Sequence, residues 1–218
     1  MQHHRTLSWL GVLLMTAVVL VVFYISSKPP TRTQTETTET VEAIFEPTVT
    51  FIDPARGTDE PSIVLVELSD LTCSACADMA ANIARLQNEL PNDVRHVVKL
   101  TPNEGADPMA VTTAIAGLCA HEQGRFWEFH DSALANQAFL NEQTILTIAT
   151  NIELDVESFA ECWEEQETLP QIQKNLEEAN ALSLTALPTL FIGEDRYVGA
   201  VSYDTLEKAV REKLLEQE

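Results

Sequence analysis

Glu67–Cys76 reads ELSDLTCSAC, and it ends in two cysteines separated by Ser74 and Ala75. Ahead of the pair, PSIVLVEL (Pro61–Leu68) is a short run of aliphatic and β-branched residues, the pattern of a central strand. Behind it, ADMAANIARLQNEL sets Met79, Ile83, Leu86 and Leu90 on one helical face, and Pro91 ends the helix. VRHVVKL (Val94–Leu100) then reads as a second core strand. The cysteines therefore stand where a strand hands over to a helix. The unit around them is strand–helix–strand, which implies a parallel pair with a right-handed crossover.

That position separates the chemistries open to the pair. A structural zinc site needs four ligands, commonly a second Cys-x-x-Cys or a closely spaced His pair. Cys119 and Cys162 are too far apart in sequence to supply one, and His121 and His130 do not share a helical face. No metal is expected. A purely structural bridge between Cys73 and Cys76 would close a very small loop and restrain little chain. A thiol–disulfide switch fits better. The helix N-terminus offers unpaired N–H groups and partial positive charge, which stabilise a thiolate at Cys73. Cys76, one turn further in, is then the resolving thiol.

Downstream the pattern turns helical. Ala106–His121 is apolar-periodic, and GRFWEFHDSALANQ forms a second helix. NEQTILTIATNI follows with Asn141 as cap, then DVESFAECWEE with Asp155 as cap, then LPQIQKNLEEANAL with Pro170 in its first turn. Strand pattern returns at PTLFIG (Pro188–Gly193) and RYVGA (Arg196–Ala200), with a hairpin turn at Gly193, Glu194 and Asp195. YDTLEKAVREKLLEQ closes the chain as an amphipathic helix. A further short strand is expected at Val49–Ile52, before the turn-like DPARGTDEP. No internal repeat is present. One α/β sheet with a helical insert over residues 104–182 satisfies this order, because the last hairpin can join the sheet that the first half begins. Phe126, Trp127 and Phe129 are expected to pack the insert onto that sheet. In TALPTLFIG, a cis Leu187–Pro188 bond would expose the Leu187 backbone beside the cysteines, free to pair with an extended substrate strand.

The N-terminus carries a different signal. Leu7–Ile25 holds no charged residue and is long enough to span a bilayer as a helix. Trp9 and Tyr24 lie near its ends, at headgroup level. The apolar run exceeds a signal-peptide core, and SSKPP after it is a poor cleavage site, so an uncleaved anchor over residues 1–27 is expected. KPPTRTQTETTETVEAIFEP, rich in Thr, Glu and Pro, reads as a flexible tether over residues 28–47, with the folded body in 48–218. The formal net charge of −21 argues against nucleic acid and anionic membrane surfaces as partners. The helices show no heptad repeat, and a monomer is expected.

Three stretches together resemble the DsbA-like branch of the thioredoxin superfamily: VLVELSDLTCSACADM, LCAHEQGRFWEFHDSALANQ and LTALPTLFIGEDRYVGAVSYDTLEKAV. The resemblance covers most of the body, from about residue 62 to 211. It implies a thioredoxin-like fold interrupted by an α-helical subdomain, and thiol–disulfide exchange with client proteins outside the cytoplasm, with no cofactor. By that likeness Cys73 is the nucleophile and Cys76 the resolving cysteine. Pro188 is the cis-proline, with Leu187 the variable residue before it and Thr189 beside the substrate. Glu67, six residues before Cys73, matches an acid that could shuttle a proton to Cys76. Cys119 and Cys162 are expected to form a structural disulfide, given the even count and an oxidising compartment.

The departures are informative. Strong oxidants of the family usually hold a histidine between the two cysteines, where this chain has Ser74-Ala75. Asp70 and Asp78 flank the motif and disfavour a second negative charge. A milder oxidant follows. The expectation is a single-pass protein of the cytoplasmic (inner) membrane with a periplasmic body, which oxidises clients and is reset by a membrane redox partner. A reductase or isomerase, and a non-enzymatic chaperone or metal-binding module, are the alternatives.

Overall fold

The computed structural model describes residues 46–216, together with residues 15, 17, 18 and 20–25. The expected anchor and tether fall, but for these few positions, outside the described residues. Among the described residues no helix is long and apolar enough to cross a membrane.

The body is built on a five-stranded sheet in the order β1-β3-β2-β4-β5. β1 is Ala55–Gly57, β2 Ile63–Ser69, β3 Val94–Leu100, β4 Thr189–Ile192 and β5 Asp195–Val198. β2 lies parallel to β3, with Ile63 opposite Val94 and Ser69 opposite Leu100. It lies antiparallel to β4, with Leu68 opposite Thr189. Its central position explains why IVLVELS has no polar alternation: both faces of the strand are covered. α1 (Ser74–Glu89) supplies the crossover and buries Cys76, Met79, Ala80, Ile83 and Leu86. With α7 (Tyr203–Leu215) it covers one sheet face around Leu65, Leu190 and Ile192. β4 and β5 form the expected hairpin, turning through Gly193 at φ +60.

The edge strand departs from expectation. The short strand comes at Ala55–Gly57, within the stretch read as a turn, and Val49–Ile52 is irregular. Asp53 decides this locally: its carboxylate accepts the Thr50 backbone N–H at 2.7 Å and the Thr50 hydroxyl at 2.8 Å, which closes a turn where a strand would run. Ala55–Gly57 then pairs antiparallel with β3, ending at Gly57 (φ +111). A Cβ there would strike the Val94 carbonyl, so only glycine fits.

The insert holds α2 (Ala110–Glu122), α3 (Phe126–Ala135), a 3₁₀ turn (Gln137–Phe139), α4 (Glu142–Asn151), α5 (Val156–Glu164) and α6 (Leu169–Ala181). Asn141 and Asp155 cap α4 and α5 by accepting the Thr144 and Ser158 N–H groups, each at 3.0 Å. The insert has no separate core. Phe126, Phe129, Ile145, Phe159 and Ile172 pack in one cluster with Leu71, Val98 and Leu100 of the sheet and the cysteine loop. Gly117 lets α2 approach: a Cβ there would lie 3.2 Å from the Leu71 side chain.

Candidate active site

Cys73 is the N-cap of α1, in extended conformation (φ −88, ψ 120). Its sulfur accepts the Cys76 backbone N–H at 3.3 Å, a first-turn donor shared with the Cys73 carbonyl at 3.1 Å. The same sulfur lies 3.9 Å from the Leu187 carbonyl oxygen. The Leu187–Pro188 peptide is cis and lies beside the cysteine loop, at the start of β4. Thr189 is buried, its hydroxyl donating to the Ala186 carbonyl at 2.7 Å, so it shapes this loop from within. Cys73 is partly exposed and Cys76 buried, and both are free thiols. The two sulfurs thus differ in access as attack and resolution require.

Burial pushes the Cys76 thiol well above its usual range, and the neighbouring Cys73 sulfur adds to this. The Asp70 backbone and the Ser69 hydroxyl pull the other way. Asp70 itself is nearly buried. One carboxylate oxygen accepts the Thr72 N–H and hydroxyl, each at 2.8 Å, and the other accepts the Asn103 N–H at 2.8 Å. Its side chain is thereby fixed, three residues before Cys73 in the chain.

Glu67 is fully buried on central strand β2. Its carboxylate accepts the Ser69 hydroxyl at 2.7 Å and meets His96 Nε2 at 2.9 Å. His96 comes from β3, opposite Leu65. Burial lowers its pKa below the ordinary histidine value, a shift the hydrogen bond to Glu67 opposes. Folding therefore favours the neutral ring. A group with a depressed native pKa contributes stability above its unfolded pKa and loses it as pH falls. Denaturation midpoints are accordingly expected to drop as pH falls below about 6.5, the unfolded histidine value. His96→Gln should flatten that slope, which urea titrations across this range will measure.

Two elements had no signal in the sequence as parts of the site. Gln137, from the 3₁₀ turn, donates through Nε2 to the Leu71 and Cys73 carbonyls at 3.0 and 2.8 Å. It ties the insert to the cysteine loop. His96 is the other, since nothing in VRHVVKL marks it as the partner of Glu67. Cys119 and Cys162 are bridged between α2 and α5, with Cα atoms 5.9 Å apart, and stand apart from the Cys73 pair. Glu122, Cys162 and Glu167 form a group of metal-ligand type, but the bridge leaves Cys162 no thiolate to offer.

The thioredoxin family model matches residues 51–212 of this chain. The thiol-disulfide exchange protein α-DsbA2 of Wolbachia pipientis superimposes with a TM-score of 0.68 at 22 % identity, covering 74 % of this chain and 87 % of that one. Oxidised BdbD of Bacillus subtilis gives 0.67 at 18 % identity, over 75 % and 93 % of the two chains. A thioredoxin-like oxidoreductase from Silicibacter pomeroyi gives 0.64 at 26 % identity, over 75 % and 92 %. Among curated proteins, the Na(+)/H(+) antiporter NhaA 1 of Salinispora arenicola is 30 % identical over 158 residues, 72 % of this chain but 24 % of that protein. The chain thus spans about a quarter of the length of this curated relative. The chain belongs to the thioredoxin family, and it carries the DsbA-like fold of that family's thiol–disulfide oxidoreductases.

Proposed function

We propose that this protein oxidises client thiols through the Cys73–Cys76 pair, on the outer side of a membrane to which its N-terminal segment tethers it. The observation that carries the reading is the Cys73 sulfur at a helix N-terminus, hydrogen-bonded by the Cys76 N–H and next to the Leu187 carbonyl. In the oxidised protein a client thiolate attacks Cys73, the Cys73–Cys76 bond breaks, and the electron pair goes to Cys76. That sulfur is buried and needs a proton, which Glu67 delivers through Ser69. A second client thiol then attacks the mixed disulfide at the client's sulfur and releases the Cys73 thiolate. The Leu187 backbone, ahead of Pro188 and beside the Cys73 sulfur, is the edge on which an extended client lies, while buried Thr189 supports it from within. A membrane redox partner restores the disulfide. Relatives named as Na(+)/H(+) antiporters carry a matching stretch within a membrane-protein chain, which supports a membrane setting.

Ser74-Ala75 offers no cationic side chain to the Cys73 thiolate, and the charge on Asp70 lies close by. Both raise the energy of the reduced thiolate and so make the pair a weaker oxidant. The full chain in detergent, equilibrated with glutathione buffers, is expected to show a potential between about −120 mV and about −270 mV. A value at or below the lower figure would reverse the direction to reduction.

A further inference from the structure

Glu67, buried and hydrogen-bonded to Ser69 and His96, has a second carboxylate–histidine pair near it across the Trp127 ring. His130, fully buried on α3, shares a hydrogen bond through Nδ1 with Asp131 at 2.8 Å, and Asp131 is half-exposed. His96 and His130 both pack on the Trp127 indole, each with ring centroids 5.1 Å from it. The two ring nitrogens not bound to a carboxylate, Nδ1 of His96 and Nε2 of His130, are buried and have no hydrogen-bond partner. Each carboxylate–histidine pair thus has an open end in the same aromatic pocket, at a cost unless something joins them. The charged groups that face these rings are Glu67 from β2, Arg56 from β1 and Asp131 from α3. Arg56 lies 4.1 Å over the Trp127 ring and 3.1 Å from Asp131, and closes the pocket from outside.

We propose that His96 and the His130–Asp131 pair are the outer half of a proton path from Cys76, through Ser69 and Glu67, to the surface at Asp131. This rests on the exchange reading above. During reoxidation, Cys73 attacks a disulfide of the redox partner, and Cys76 must lose its proton to displace the partner thiol. The S–H proton passes to Ser69, whose own proton goes to Glu67. As Ser69 passes its proton to Glu67 Oε1, the proton held between Glu67 Oε2 and His96 Nε2 moves onto Nε2, and Nδ1–H leaves toward His130 Nε2, directly or over one water. His130 then gives its Nδ1 proton to Asp131 and solvent. One proton enters and one leaves, and both rings change tautomer. Client oxidation needs a proton at Cys76, so it runs the same path inward and restores both tautomers. The low basicity of buried His96 suits it to a neutral relay that never traps the proton.

The test uses the full chain in detergent, with stopped-flow rates for reduction by a dithiol peptide and reoxidation by glutathione disulfide, in H₂O and D₂O. In His130→Gln and His96→Gln both rates are expected to fall roughly ten- to a hundredfold near pH 6–7, with reoxidation recovering toward alkaline pH and reduction by the peptide recovering toward acid pH. The solvent isotope effect should change, while the Cys73 thiolate titration at 240 nm and the peptide's KM stay as in the parent. Asp131→Asn, at the surface, should slow both steps by a smaller factor and serves if a buried variant fails to fold. Parent-like rates and isotope effects in the variants that fold overturn the path. Failure of the exchange reading is separate: it would appear as turnover that persists in Cys73→Ser.

Discussion

In Cys73→Ser, thiol–disulfide exchange is expected to fall to the uncatalysed rate, a loss of at least ~10³-fold. The reason is geometric. Cys73 is the one partly exposed free thiol among the described residues, while Cys76 is buried and faces no client. Burial also keeps Cys76 protonated, so it cannot substitute as nucleophile. The companion Cys76→Ser cannot form the Cys73–Cys76 disulfide and should not oxidise a dithiol; its Cys73 should still attack a client disulfide but stall as the mixed disulfide, because the thiol that releases the client is missing. Reduction of an insulin-like disulfide and oxidation of a dithiol peptide, followed by alkylation and intact mass, read both. Client binding and biological effect that survive Cys73→Ser would replace the enzyme with a holdase. The fold should tolerate the serine, since its hydroxyl can accept the Cys76 N–H as the N-cap in place of sulfur.

Removing the second cysteine pair is expected to act on stability rather than on chemistry. The Cys119–Cys162 bridge closes a loop of 43 residues across α2 and α5. In the chain-entropy model a loop of this size contributes on the order of 4 kcal/mol by restricting the unfolded chain. Both sulfurs are buried in the cluster that also holds Leu71, at the foot of the cysteine loop. The double variant Cys119→Ala/Cys162→Ala should therefore lose about 4 kcal/mol or more by urea titration, with cavity terms adding to the entropic part. Its redox potential at Cys73–Cys76 should match the parent. A parallel drop in potential and stability would show that the two pairs are coupled through Leu71.

Much of the fold was legible because periodicity and punctuation agree. The apolar run before Cys73, the one-sided helix after it and Pro91 at its end suffice for the βαβ unit. The caps at Asn141 and Asp155 are local chemistry and appear where the residue types say. Val49–Ile52 misled because a run of Val, Thr, Phe and Ile has strand propensity, yet one carboxylate three residues on turns the chain. β1 was hidden because three residues carry no period, and its pairing depends on Gly57 passing close to β3.

The site divides in the same way. The place of Cys73 and Cys76 at a helix N-terminus could be read locally, whereas the cis Leu187–Pro188 bond could be expected only from a proline at a strand start together with the order of elements. Glu67 could be named from its distance to Cys73, but not its surroundings. On an edge strand the same residue would be solvated. Between β3 and β4 it is dry, and its partner His96 lies 29 residues away in a neighbouring strand. Gln137 and the His130–Asp131 pair belong to the insert, and only its docking on Leu71, Val98 and Leu100 brings them to the sheet.

The sequence alone determined the βαβ unit, the helical insert, the last hairpin and helix, and the type of chemistry, because each follows from interactions within a few residues; the edge strand β1 it did not. Which carboxylate is buried, which histidine answers it and how the insert grips the cysteine loop were decided by tertiary structure. Those depend on strand register and helix docking, where the deciding contacts join residues that no local pattern connects.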